Sequence, residues 1–343
     1  PQATPILGLS SVETHPRLVS STKIMNMRIF HKLFVVAIFL AVSCKPEPVI
    51  NRVPGNDDNG GGTDKPTVKS QTLKVCSFNI RCFNANDPYP WSVRKDPVMK
   101  FIKTEKPDMV GLQELRSTQA QDFAYNLSDE YVYYDVNRDT GQPVSSGSGE
   151  GVGILFKKDR FKLEKKGFFW LADNPDKLPD KNADGTYSSW NSACRRIVVW
   201  VKVKDLEHDG LTVFFFATHF DHKSVAAREK SSTLTVNKIK EITGLSDLSQ
   251  SGFPIFLVAD FNCSYGSSEL APLRTVLKEA RSSSAKTESG RTYNGFGDSS
   301  TSVIDHIFYA GRLTADMYHI VTEDYGVKFI SDHYPITFEC TYK

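Results

Sequence analysis

Short apolar, β-branched runs recur along this chain, and six times such a strand is bounded by polar side chains that it has no packing reason to carry. "TLKVCSFNI" alternates as a strand does and delivers Asn79, while "DMVGLQE" ends on Gln113 and Glu114. "LTVFFFATHF" leads to Thr218, His219, Asp221 and His222, and "FPIFLVAD" ends on Asp260 with Asn262 just beyond. Asp305 and His306 interrupt "TSVIDHIFYA", and Asp332 and His333 stand immediately before the last strand, "YPITFECTY". "EGVGILFKK", "FKLEKKGFFWL", "RRIVVWVKVK" and "MYHIVTE" are further strands. The spacing predicts helices within 92–104, stopped by Pro107, and over 117–127 and 268–279. A longer amphipathic helix over 224–243 is opened by Ser224 and carries Val225, Ala226, Leu234, Val236, Ile239 and Ile242 as its apolar positions. Roughly a dozen strands with four interspersed helices fit an α/β (α+β) layered domain with mixed sheets and outer helices. With no composition break after residue 71, residues 71–343 read as one domain. In such folds ligands bind where strand ends converge, so six polar strand ends point to one site.

Charge narrows the partner classes. Of 343 residues, 24% are charged, yet the formal net charge is only +2, too small to predict nucleic-acid binding from bulk electrostatics. No fixed-period repeat is present, which excludes a solenoid or propeller.

The N-terminal stretch is read separately. Residues 1–24 show no convincing periodicity, and residues 1–26 are expected to be non-native upstream translation, with the start at Met25 or Met27. Residues 27–43 carry a basic "MRIFHK", an apolar run of eleven residues and small residues before Cys44, the layout of a signal peptide. That run is shorter than the roughly 20 residues a bilayer span requires. Cys44 directly after "AVS" resembles a bacterial lipoprotein signal, in which the Cys is lipidated. Ala41 stands where Leu is most usual, and an ordinary secretory signal is the alternative. Residues 44–70 are rich in Pro, Gly, Asn and Asp and read as a flexible tether. The expected setting is the bacterial cell envelope, with a membrane partner reached through a lipid anchor. Five cysteines follow Cys44 with no C-x-x-C pair, so neither a zinc site nor a full disulfide framework is suggested.

The strand-end residue types define a chemistry. Glu114, Asp260, Asp305 and Asp332 are hard oxygen donors, and Asn79 and Asn262 are neutral ones. Carboxylates with amides suit Mg²⁺, which keeps most of its waters and adds substrate phosphate oxygens. The histidines suit hydrogen bonding to phosphate or general acid–base work. Singly, each residue reads as a cap, a turn or an ion pair; together they read as a site.

The ordered motifs "SFNIR" (77–81), "LQE" (112–114), "THFDH" (218–222), "ADFN" (259–262), "IDHIF" (304–308) and "SDH" (331–333) resemble the endonuclease/exonuclease/phosphatase superfamily, with its deoxyribonuclease I-like fold. The resemblance covers about residues 72–343 and is closest to a bacterial branch carrying "FFWLADNPD" and "NSACRRIVVW". Ala259 departs from the commoner Gly, adding only a methyl group. The resemblance implies a four-layer sandwich of two mixed β-sheets flanked by helices. It implies that Glu114 binds Mg²⁺ (or Mn²⁺), helped by Asn79 and Asp332. Asp260 would deprotonate the attacking water, and Asn262 would hold the phosphate or the nucleophile. His333 would hydrogen-bond the scissile phosphate, steadied by Asp305 or Asp332. His219 would contact the phosphate from the other side and protonate the leaving oxygen. Arg196 would add positive charge at the phosphate, with Arg195 as the alternative, and Asn79 would also reach the phosphate.

The leading expectation is a Mg²⁺-dependent phosphodiesterase, acting as a monomer on a phosphate-ester substrate. Nucleic acid is the first substrate class, because Trp91, Phe168, Phe169, Trp170 and Trp190 could stack on bases. A small or lipid phosphodiester, or a phosphomonoester, is the second. A glycoside hydrolase using Glu114 and Asp260 would leave the His and Asn residues unexplained. An anchored binding lipoprotein or pseudoenzyme would have lost site residues, and every position is filled.

Overall fold

The computed structural model describes residues 72–343. The expectations for residues 1–26, 27–43, 44–70 and Cys44 lie outside the described residues.

Among the described residues, thirteen strands form two sheets. The first sheet contains β1 (Thr72–Asn79), β2 (Met109–Leu115), β3 (Tyr131–Asn137) and β4 (Gly151–Lys157). The second contains β5 (Phe161–Trp170), β6 (Ile197–Asp205), β7 (Leu211–His219), β8 (Ile255–Asp260), β9 (Lys278–Glu279) and, further along the chain, β11 (Asp305–Ala310). The first is completed by β10 (Lys286–Thr287), β12 (Leu313–Ile320) and β13 (Ile336–Tyr342). The orders are β10-β12-β13-β1-β2-β4-β3 and β5-β6-β7-β8-β11-β9. Both sheets are mixed: β1 runs parallel to β2 and β7 parallel to β8, while the other long pairings are antiparallel.

The apolar runs are continuous because these strands bury both faces. Along β8, Phe256 and Val258 point into the core between the sheets, whereas Ile255, Leu257 and Ala259 point into the outer layer. Along β7, Val213, Phe215 and Ala217 face inward, and Phe214 and Phe216 outward. The helices α1 (Trp91–Glu105) and α2 (Ser117–Asn126) cover the outer face of the first sheet, with Phe101, Ile102 and Phe123 against Phe78 and Leu112. Helix α3 (Val225–Thr243) covers the second sheet through Val236 and Ile239. The result is the expected four-layer sandwich. The sheets approach closely at Gly111 on β2, where a Cβ would stand 2.3 Å from Val258 Cγ2 and 2.9 Å from Ala217 Cβ.

Three expectations change. Residues 268–279 do not form one helix. They give a 3₁₀ turn (Ser268–Leu270), the single-turn α4 (Ala271–Arg274) and then β9, after which Glu279 caps the short α5 (Ala280–Ser283). The Arg274 guanidinium bonds back to the Ser267 carbonyl at 2.7 Å, closing the turn on itself, and Thr275 and Val276 are poor helix extenders. Strand β3 was missed because its three tyrosines obscure the alternation. Helix α3 does start after a Ser224 cap that accepts from the Ala227 amide at 3.1 Å, but Val225 and Ala226 face solvent because the first turn overhangs the sheet.

Candidate active site

Backbone register places the first three functional side chains side by side. His219 pairs with Asp260 across the parallel β7–β8 ladder, and Asp260 pairs with Asp305 across the antiparallel β8–β11 ladder. Period-2 alternation points all three inward, continuing the rows of Ala217, Val258 and Ile307 beyond the edge of the core. His306, one step along from Asp305, therefore points outward, 3.2 Å from the Cys263 carbonyl and 3.5 Å from Glu279, away from the cluster. From the facing sheet, the same alternation on β1 brings Asn79 inward at its last position.

Glu114 reaches the site by breaking the rule. Gln113 faces inward but bonds Ser77 at 3.4 Å within its own sheet, and alternation would send Glu114 outward. A bulge between Leu112 and Leu115 and a φ of +62° at Glu114 turn its carboxylate back to the strand ends. Arg81 (φ +56°) and Asn262 (φ +53°) also sit in the left-handed region. Such conformations cost about 1–3 kcal/mol and gather at functional sites.

Asn79 joins the two sheets. Its Nδ2 donates to Glu114 Oε1 at 3.1 Å and to Asp260 Oδ2 at 3.0 Å, while its Oδ1 accepts from the Arg81 amide at 3.0 Å. With both ends of the amide occupied, Asn79 positions carboxylates rather than reaching for phosphate. Burial would push Glu114 up, but the Cys82 amide at 2.9 Å, His333 and Asn79 together hold it below the usual carboxylate value. Asp260 goes the other way: burial and the neighbouring Asp305 raise it to about 7. His333 Nδ1 lies 2.9 Å from Asp305 Oδ2, and its Nε2 lies 3.7 Å from Asp260. Burial would lower His333, but Asp305 and Asp260 outweigh it and lift the imidazole to about 10, so His333 is charged at neutral pH.

His219 is the reverse case. Burial, Arg196 and Arg138 drive it well below its ordinary value, so it is neutral, with Nε2 3.0 Å from Asn262 Nδ2 and 3.3 Å from Asp260. Which ring nitrogen carries the proton follows the tautomer, so the neutral His219 keeps either hydrogen-bonding role toward a substrate oxygen.

The "SDH" segment is pinned from behind. Ser331 Oγ donates to the Asn79 carbonyl at 2.7 Å, and the Asp332 carbonyl accepts from the amides of Asn294 (2.7 Å) and Gly295 (3.0 Å). The Asp332 carboxylate, raised by burial, lies 3.6 Å from Arg81, whose fork is anchored on Asp87 at 2.9 Å. Arg81 was missed as a site residue; its signal was a cation two positions after Asn79.

The structure separates the adjacent arginines. Arg195 spends itself on the Pro179 carbonyl at 2.6 Å, on Asp139 at 3.3 Å and on the Tyr187 ring. Arg196 is buried with Nε and Nη1 unpaired, and only Nη2 finds a partner, His222 at 3.3 Å. Arg196, with Arg81, Glu114, Asp260, Asn262, Asp332 and His333, lines a cavity of about 600 Å³. Asp221 is a structural residue, accepting from the amides of Ala193, Cys194, Lys223 and Ser224. None of the five singled-out aromatics lines this cavity: Trp91 is buried against Asp122, Trp190 bonds Asp173, and Trp170 bonds the Arg138 carbonyl. Tyr293 is the ring that does. The five described cysteines are free thiols.

The residues present fit a hard divalent cation. Ligand atoms of Glu114, His219 and Asp260 lie within 4.8 Å of one another, as do those of Asp260, Asp305 and His333. Asp332, expected as a ligand, falls outside both groups and has Arg81 as its nearest cation.

Two sheets whose strand ends bring carboxylates, amides and a charged imidazole to one cavity define a hydrolase acting on phosphate esters. The chain belongs to the endonuclease/exonuclease/phosphatase family, whose model matches residues 76–333. An endonuclease/exonuclease/phosphatase from Bacteroides vulgatus is 31% identical, covering 79% of this chain and 99% of that one with a TM-score of 0.70. A mannosyl-6-phosphatase from Bacteroides thetaiotaomicron is 28% identical, covering 79% of this chain and all of its own (100%), with a TM-score of 0.69. The human Nocturnin catalytic domain with a bound sulfate anion shares the fold at 17% identity, covering 79% and 94% with a TM-score of 0.61. An uncharacterized protein of Acanthamoeba polyphaga mimivirus is 23% identical over 55% of this chain, a match spanning 31% of that protein's length.

Proposed function

We propose that this chain is a Mg²⁺-dependent phosphoesterase that hydrolyses small polar phosphate esters with an activated water. The observation that carries the reading is the meeting of carboxylates and cations in one cavity. Carboxylates of Glu114, Asp260 and Asp332 line the same cavity as the charged His333 and the under-bonded Arg196. Enzymes of the family typically depend on a divalent metal, which when bound neutralises phosphate charge and orients the ester. Glu114 would hold it, with Asp332 and Asn79 close by, and Mn²⁺ suits the same donors.

The chain's own groups divide the remaining work. Asp260, poised near neutrality, takes the proton from the attacking water, and its Oδ1 is fixed by the Asn262 amide at 2.8 Å. Asp305 aims His333, whose charged Nε2–H neutralises a phosphate oxygen. Arg196 supplies guanidinium charge to the same group, and Asn262 holds the neutral His219 against the phosphate. Nucleic acid gives way as the first substrate class, because the aromatic platform that favoured it faces elsewhere. The likeness to a mannosyl-6-phosphatase supports a small hydroxyl-bearing ester. The proposed setting is the bacterial envelope, with Cys44 lipidated.

The test is hydrolysis of a panel of phosphate esters by the purified protein, with Mg²⁺ and with EDTA. Activity should vanish with EDTA and fall about 10²–10⁴-fold in Asp260→Ala. Near wild-type, chelator-resistant hydrolysis by that variant would end the reading.

A further inference from the structure

The cavity has a second electrostatic feature that the catalytic roles leave unexplained. Around Arg138 and Arg196, which line the cavity, four arginines meet three carboxylates. Arg138 pairs with Glu150 at 2.7 Å, and Glu150 is shared with Arg116 at 3.3 Å. Asp139 is shared between Arg195 at 3.3 Å and Arg138 at 4.0 Å. Asp221 is occupied by four backbone amides. Arg196 therefore has no carboxylate of its own, and buried N–H groups stay unpaired at Arg138 Nε and at Arg196 Nε and Nη1. Both arginines line the cavity. A buried guanidinium without a partner is costly, so this part of the cavity is built for added negative charge.

The two ester classes differ in that quantity. A phosphodiester carries one negative charge at neutral pH; a terminal phosphate carries close to two, with its second ionisation near pH 6. One charge is answered by the metal side and His333. We propose that Arg138, acting beside Arg196, reads the second charge of a terminal phosphate and makes this enzyme a phosphomonoesterase that discriminates against diesters. The assignment rests on the phosphoesterase reading above and names its substrate class. Arg138 is a specificity residue here, held by its ion pair with Glu150 at the start of the loop that follows β3. Glu150 sets how much positive charge is left over.

The experiment compares p-nitrophenyl phosphate with its methyl diester, reading the ratio of the two kcat/KM values in Mg²⁺. The ratio cancels enzyme ionisations common to both substrates. Wild type should favour the monoester, with the preference shrinking below about pH 6 as the phosphate gains its second proton. Arg138→Gln should lower the ratio about ten- to a hundredfold, the worth of one charge-assisted contact, while Arg138→Lys should lower it less. Glu150→Gln should raise it, because removing the counter-ion leaves more charge for the ligand. Glu150→Gln carries the test alone if Arg138→Gln fails to fold, as judged by circular dichroism. A diester preference in wild type, or a ratio unmoved by Arg138→Gln or by Glu150→Gln, overturns the assignment while leaving phosphoester hydrolysis standing. Hydrolysis of neither ester by folded protein overturns the phosphoesterase reading and the assignment with it.

Discussion

Asp260 and His333 are 3.7 Å apart and are both raised, to about 7 and about 10, and the gap between those values sets the pH behaviour of the site. Asp260 must lose its proton to act as a base, so activity rises as pH climbs through about 7. His333 must keep its proton to donate, so activity falls as pH climbs through about 10. The expected kcat/KM profile is a bell between those limits, its acidic limb lying lower once a dication adds its charge. Asp305 is what holds His333 up, and Asp305→Asn should bring the imidazole back toward its ordinary value. An NMR titration of the His333 ring checks this; an unchanged pKa in the variant refutes the assigned role. Much of this cluster was legible in the sequence, because strand ends that break an apolar run mark themselves. His219 as a neutral group was not legible, since its state depends on Arg138 and Arg196 arriving from distant loops. Nor was the choice between Arg195 and Arg196, which turns on what each guanidinium finds nearby.

At the scale of elements, the long strands and three of the four helices were readable from period and caps. The failures were β3, whose tyrosines mask alternation, and 268–279, where apolar spacing imitates a helix that the turn chemistry breaks. The sheet–sheet interface was invisible in sequence, because a glycine in a strand does not announce what stands across from it. Gly111 allows β2 to approach β7 and β8, and Gly111→Val must displace Val258 or Ala217. The expected cost is at least about 1–3 kcal/mol, read as a lower thermal midpoint. Activity should drop with it, since Asn79 spans the two sheets and any slip separates Glu114 from Asp260. A variant with unchanged melting would refute the close approach.

For the molecule as a whole, the two sheets are fastened away from the cavity as well as at it. Arg160, following β4, bonds Asp205 at the end of β6 at 2.8 Å and Asp108 before β2 at 3.0 Å, and Tyr342 on β13 joins at 3.0 Å. Among the described residues no helix is long and apolar enough to cross a membrane. The proposed attachment is through Cys44: a labelled fatty acid fed to a bacterium expressing the full chain should be incorporated, and Cys44→Ala should abolish the label. Labelling that survives the substitution refutes the anchor.

The ladder pairing of His219, Asp260 and Asp305 has one more consequence. Those side chains are indexed by backbone hydrogen bonds, which no loop can shift without unzipping a sheet. Arg138, Ser300 and Ser302, which shape the rest of the cavity, are carried on connections between strands. The ladder-held part of the reaction machinery is thus separate from the connections that shape the cavity, although His333, Asn262 and Arg196 also stand on connections. The connections that carry Arg138, Ser300 and Ser302 can be exchanged to retarget the enzyme to a new ester while His219, Asp260 and Asp305 keep their spacing, as a lathe keeps its spindle when the tool is changed.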